Sequence, residues 1–176
     1  MDEDNTVGIV KLVSKEGDIF PLSIEIAKLS NLVVTTLGEE EEHDTDDEDG
    51  NNVEIPLSNV RSSVLEKVVQ YCVHYSKEPM TPITTPLQTL DMAKIVQKWY
   101  ADFVDVDQVM MFELVTAANF MDIKPLLDLT CLAVSFYIKG KSADEIRRIF
   151  NISNESVSQQ DAVITEMSEG ADEEVV

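Results

Sequence analysis

"AANFMDIKPLLDLTCLAVSFYIKGKSADEIRRIF", residues 117–150, is densely apolar for part of a chain whose formal net charge is −21. Within it Leu126, Leu127, Leu129, Cys131, Leu132, Val134, Phe136, Tyr137 and Ile138 recur at helical spacing and cover more than one face. The preceding segment shows the same excess. Val109, Met110, Met111, Phe112, Leu114, Val115, Ala117, Ala118, Phe120 and Met121 run nearly all the way round a helix, leaving Glu113, Thr116 and Asn119 as a narrow polar stripe. Either these helices are central in a compact bundle, or part of their surface is completed by another protein.

Their ends are marked locally. Asp122 is expected to cap a helix with Pro125 in its first turn, and Gly140 to supply a left-handed stop. Ser142-Ala143-Asp144-Glu145 reads as a capping box that restarts the chain. The spacing predicts helices over 106–121, 125–139 and 142–150, followed by a polar tail from Ser153.

Toward the amino terminus the pattern changes to strands. Val10 and Leu12, then Ile19, Phe20 and Leu22, flank Lys15-Glu16-Gly17-Asp18, which predicts a β-hairpin with Gly17 at positive φ. Ser23 is expected to cap a helix carrying Ile24, Ala27 and Leu29, with a second short helix or turn through Leu32, Val33 and Leu37. Val53, Ile55 and Leu57 alternate as in a strand, and Val64, Leu65, Val68, Val69 and Cys72 give a helix from Ser62 or Ser63 to Tyr75. Pro79, Pro82 and Pro86 forbid its continuation and suggest a boundary. The expected architecture is a small α/β unit followed by helices.

Between these elements, "EEEEHDTDDED" from Glu39 to Asp49 has too little apolar surface to offset the entropy of ordering and reads as a mobile acidic loop. His43 lies inside it, but the carboxylates lack Gly-punctuated ligand spacing, so no metal site and no cofactor are expected. With 34 Asp and Glu against 13 Lys and Arg, no basic patch could neutralise a phosphate backbone or an anionic bilayer, and neither nucleic acid nor membrane is expected as a partner.

The acidic start, Met1-Asp2-Glu3-Asp4, is unlike a secretory signal, and no apolar run nears the roughly 18 residues of a membrane span. The expected location is the cytoplasm and nucleus. Cys72 and Cys131, far apart and each among apolar residues, read as buried free thiols. The glycosylation patterns at Asn151 and Asn154 read as chance matches.

Catalytic templates are missing: the sequence has no Gly-rich phosphate loop, G-x-S-x-G elbow, H-E-x-x-H or paired C-x-x-C. Cys72 and His74, two apart on a helix, point about 200° away from each other. A carboxylate pair remains open in so acidic a chain, and a solvated face is the simpler reading.

Over about nine tenths of its length the chain resembles the Skp-type, S-phase-kinase-associated adaptors of SCF ubiquitin ligases. The resemblance is carried by "VKLVSKEGDIFPLSIEIAKLS", the acidic loop, "IPLSNVRSSVLEKVVQYCVHY", "WYADFVDVDQ", "LVTAANFMDIKPLLDLTC" and "IKGKSADEIRRIFNI". Elongin C is similar through Asp122 but would stop near there.

The resemblance implies an α+β, BTB/POZ-like fold with a small sheet and helices, followed by carboxyl-terminal F-box-binding helices. It places a cullin-binding domain over 7–121, with an acidic loop at 39–52 and a proline-containing linker at 76–90. It places an F-box-binding region over 106–152, and leaves 153–176 as a divergent tail without the family's Glu-rich helix and terminal Trp-Cys-Glu run. Met111, Val115, Leu127, Val134, Ile138 and Ile149 fall at F-box-facing positions, and Asn119 and Phe120 at the cullin-facing corner.

Phe120 stands where the family has Tyr, and Ala143 where many relatives have Pro. The implied function is a non-enzymatic adaptor that bridges F-box proteins and a cullin amino-terminal domain. A homodimer is left open as one form of the chain when no F-box is bound, and a self-associating BTB-like protein outside any ligase is the alternative.

Overall fold

The computed structural model describes residues 8–40 and 52–151. Most of the acidic stretch, with His43, and the tail 153–176 lie outside the described residues. The chain divides into two compact units, Met1–Tyr137 and Ile138–Val176.

The first unit begins with the expected hairpin. Strands β1 (Ile9–Val13) and β2 (Ile19–Ser23) pair antiparallel, with Val10 opposite Leu22 and Leu12 opposite Phe20. Gly17, at φ 91°, makes the turn, and the Ser14 hydroxyl accepts the Asp18 amide at 3.0 Å. Alternation sends Val10, Leu12 and Leu22 into the core. After helices α1 (Ile24–Ala27) and α2 (Asn31–Glu40), strand β3 (Asn52–Pro56) adds to the far side of β1 in parallel, giving the order β2-β1-β3.

Two local expectations change here. Ser23 holds the N-cap position of α1 with extended backbone, but its side chain makes no capping bond. The second helix, expected to be short, runs ten residues to Glu40, so the non-helical acidic loop cannot begin at Glu39. The start of the helix is held from a distance in sequence. The Ser30 hydroxyl donates to the Met121 carbonyl, and Asn31 Nδ2 donates to Asp122 Oδ2 at 3.0 Å, fixing the start of α2.

Helix α3 (Ser62–Lys77) buries Val64, Leu65, Val68 and Cys72 as the spacing predicts, with Tyr71 buried in addition and Val69 only half-buried. Its amino end is satisfied from outside. Glu16, on the hairpin loop, accepts from the Ser62 amide at 2.7 Å and from its hydroxyl at 2.9 Å. These donors hold the Glu16 carboxyl below its ordinary pKa.

The prolines end α3 as expected, yet they do not separate two cores. Helices α4 (Met92–Ile95) and α5 (Lys98–Phe103), neither expected from the spacing, carry the chain back onto α3. There Trp99 stacks on His74 at 3.8 Å and 7°, while Tyr100 and Phe103 both lie 5.6 Å from the Tyr71 ring. Gln97 pins the proline stretch by accepting the Thr81 amide and donating to the Pro79 carbonyl, each at 2.9 Å. Burial pushes the Tyr100 hydroxyl up to about 12, and the same hydroxyl donates to the Glu78 carbonyl. One buried cluster therefore runs from Val10 to Ala133, across the stretch that the sequence suggests as a boundary.

Helix α6 (Gln108–Phe120) packs on α3, and Asp107 caps it by accepting the Met110 amide at 2.9 Å. Helix α7 (Lys124–Ile138) follows, with Pro125 in its first turn. Asp122 does not cap it. Its φ of 50° is left-handed, and the Asp122 and Ile123 amides donate back to the Asn119 and Ala118 carbonyls at 3.2 and 3.0 Å. That is a Schellman stop for α6, and the Asp122 carboxylate is taken by Asn31.

In the second unit, Gly140 has φ 77° as expected. Helix α8 (Ala143–Ile149) opens on the predicted capping box: Ser142 Oγ accepts the Glu145 amide at 3.3 Å, and Glu145 accepts the Ser142 amide at 2.7 Å. Among the described residues no helix is long and apolar enough to cross a membrane.

Candidate partner-docking surfaces

The apolar excess of α6 and α7 divides by face. On α6, Met111, Leu114, Ala117 and Ala118 are buried. On α7, Leu126, Leu129, Thr130, Leu132 and Ala133 are buried. Tyr137 Oη donates to Gln108 Oε1 at 2.9 Å and ties the two helices together. The protein's own core thus uses one side of each.

The adjoining side of α7 is only partly covered, with Leu127 and Val134 packing against the edge of the core. Leu127, Cys131, Val134 and Ile138 repeat at four, three and four residues, which places them in one stripe. Leu127, Val134 and Ile138 are half-buried and Cys131 is exposed. The expectation of two buried thiols therefore holds only for Cys72, whose pKa burial pushes up to about 12. Cys131 sits among apolar residues in sequence, but its spacing puts it with Leu127 and Val134 rather than with Leu126 and Leu129.

The residues assigned to the F-box are not alike. Met111, at 5% exposure, belongs to the core, whereas Val115 on α6 and Leu127 and Val134 on α7 are half-exposed in the first unit. Ile149, also half-buried, lies on α8 in the second unit beside the exposed Phe150.

Asn119 and Phe120 do come together, at the exposed carboxyl end of α6. Phe120 is 39% exposed although it is a large apolar ring. Both residues line an open groove of about 310 Å³ between α6 and the start of α3. Val60, Val64 and Ala117 are its buried floor. Asn59 and Arg61 stand on one side, and Glu113 and Thr116 on the other.

Arg61 and Glu113 join across the groove in a two-pronged pair, Nε to Oε1 at 2.7 Å and Nη2 to Oε2 at 2.5 Å. The Glu113 carboxylate raises the Arg61 pKa, with smaller contributions from Glu16 and Asp107. The sequence holds no local sign of this groove, because its two walls are 52 residues apart.

His74 and Cys72 do not form a reactive pair here. His74 lies flat on Trp99 and within 3.5 Å of Glu78, and Cys72 is in the core. Among the described residues no group of three or more His, Cys, Asp and Glu is placed to hold a metal ion.

Comparison with known proteins matches residues 8–77 to the Skp1 family tetramerisation domain and residues 124–169 to the Skp1 family dimerisation domain. Similar proteins include an S-phase kinase-associated protein 1 homolog of Tetrahymena thermophila, 37% identical over 98% of each chain. A Skp1-related protein of Caenorhabditis elegans is 38% identical over 88% of this chain and 86% of its own. The SCF ubiquitin ligase complex protein SKP1a of Dictyostelium discoideum is 37% identical, over 93% of this chain and 95% of its own. With a POZ-type sheet and helices in place and likeness along nearly its whole length, the chain belongs to the Skp1 family.

Proposed function

We propose that this protein is the adaptor of an SCF-type ubiquitin ligase, joining F-box substrate receptors to a cullin for ubiquitin-dependent degradation. The observation that carries this reading is the division of α7. One face completes the protein's own core, while the adjoining stripe leaves Leu127 and Val134 only partly covered and Cys131 exposed. Burying such a stripe drives association, because apolar surface leaves water. The relative from Dictyostelium discoideum, named as an SCF complex protein, supports the same reading.

In this reading the F-box lies along 106–152, on Val115, Leu127, Val134, Ile138 and Ile149. Met111 acts from beneath, as packing for Val115 and its neighbours. The cullin takes the corner of Asn119 and Phe120 in the 7–121 domain. The adaptor performs no chemistry. The ligase gains rate by holding substrate near the ubiquitin-carrying enzyme, which raises effective concentration. Its place of action is the cytoplasm and nucleus.

Light scattering after size-exclusion chromatography tests the proposal, with the chain alone and mixed with an F-box domain and a cullin amino-terminal domain. One copy of each in a single peak is the expected result. A homodimer unchanged by both partners would overturn the proposal in favour of a self-associating BTB-like protein.

A further inference from the structure

The geometry points to residues 78–83 as a polyproline-type ligand for an aromatic-lined groove of the SH3 type, read through the exposed pairs Glu78-Pro79 and Thr81-Pro82. The partner is neither an F-box nor a cullin, and the inference does not depend on the adaptor reading.

Of the six prolines, Pro79 and Pro82 are the one pair spaced three residues apart. Three residues make one turn of a polyproline helix, in which each proline fixes its own φ and biases the residue before it toward extended backbone. The segment lies between α3 and α4, outside any helix or strand. Its burial follows the same period. Met80 is buried and Ile83, three residues on, is half-buried, both packed in or against the main core. Glu78, Pro79, Thr81 and Pro82 are all exposed. One ridge of the segment thus belongs to the protein's own core. The two proline pairs, which a groove of this type takes between its aromatic side chains, face solvent.

The body of the protein holds the segment by that inner ridge. Gln97 brackets Met80, accepting the Thr81 amide and donating to the Pro79 carbonyl, each at 2.9 Å. The Tyr100 hydroxyl donates to the Glu78 carbonyl, and the Tyr71 hydroxyl lies 3.9 Å from the Met80 sulfur. These contacts fix the backbone before a partner arrives, so binding gives up little further chain entropy. They leave both proline rings uncovered.

An array of purified SH3 domains, probed with the full chain and followed by titration of each domain that responds, tests the inference. At least one domain is expected to bind the wild type with a Kd below about 100 µM. Pro79→Ala and Pro82→Ala, both at exposed positions outside the core, are each expected to weaken that complex about tenfold or more. Pro86 is also exposed but lies four residues beyond Pro82, off the repeat, so Pro86→Ala is expected to leave the affinity unchanged. Gln97→Ala removes the bracket behind Met80 and is expected to weaken binding about threefold or more by freeing the backbone.

No binding by the wild type across the array, or binding that survives both substitutions at Pro79 and Pro82, would overturn the inference. Equal losses on substitution of Pro82 and Pro86 would overturn the three-residue repeat on which it stands. Unchanged affinity in the Gln97 variant would overturn the role given to the pinned backbone.

Discussion

The two sides of α7 have similar chemistry and different fates. Leu126, Leu129 and Ala133 are buried in the first unit's core, whereas Leu127, Cys131 and Val134, only one or two positions further along, remain half-covered or exposed. Hydrophobicity alone does not separate these sets. What separates them is the angle each side chain takes around the helix relative to α6, which the Tyr137 to Gln108 hydrogen bond helps to hold. In the proposed function the helix serves two cores, one complete in the chain and the other to be finished by a partner.

Substitution on each side sharpens this division. Leu129 is fully buried, and Leu129→Ala should cost about 2–5 kcal/mol of stability by removing packed methyl groups and leaving a cavity. Denaturant unfolding measures that loss. Val134→Lys should cost only about 1 kcal/mol, since the long side chain can reach water from a half-buried site. It should instead weaken F-box binding at least about a hundredfold, with cullin binding retained. Asn119→Lys with Phe120→Lys should reverse the pattern, losing the cullin and keeping the F-box. If both sets lost both partners in folded protein, the two-surface division would be wrong.

The thiols offer a gentler probe of the same contrast. Cys131 is exposed on the open stripe, while Cys72 is buried with its pKa pushed up to about 12 and little reactive thiolate at neutral pH. Iodoacetamide should therefore modify one thiol in the native protein and two in denaturant, as counted by mass spectrometry. Addition of an F-box domain should slow the native modification. Equal labelling with and without that domain would remove Cys131 from the docking stripe.

Features set by neighbouring residues were legible in the sequence. The hairpin, the buried face of α3, Gly140 and the Ser142 capping box each follow from spacing or turn chemistry within a few positions. The hidden features depend on distance. "KWYADF" is too short to show a helical period, so α5 emerges only when its rings meet Tyr71 and His74. Asp122 has the right chemistry for an N-cap, but a left-handed backbone makes it the stop of the preceding helix. The docking positions came from resemblance, and the structure adds that Met111 is packed inside while the groove beside Asn119 and Phe120 draws on Arg61. No local pattern couples Arg61 to Glu113.

Acid should produce the smallest effects and separate the two units. Glu16 and Glu145 both have carboxyl pKa values held below 4.5, chiefly by backbone donors at Ser62 and Ser142 respectively. A depressed folded pKa means stabilisation that is present above pH 4.5 and lost as pH falls through the folded value. The loss differs in reach. Glu16 joins the hairpin loop to α3, whose buried face belongs to the main core, so Glu16→Gln should flatten part of the acid dependence of global unfolding. Glu145 closes a box with the N-cap Ser142 at the start of the seven-residue α8, which has no buried residue, so Glu145→Gln should alter only helical order there. Amide hydrogen exchange from neutral pH to below pH 4.5 reads both, expecting protection along α3 to change for the first variant and along α8 for the second. A change along α3 in the Glu145 variant would show that the local capping box is coupled to the main core.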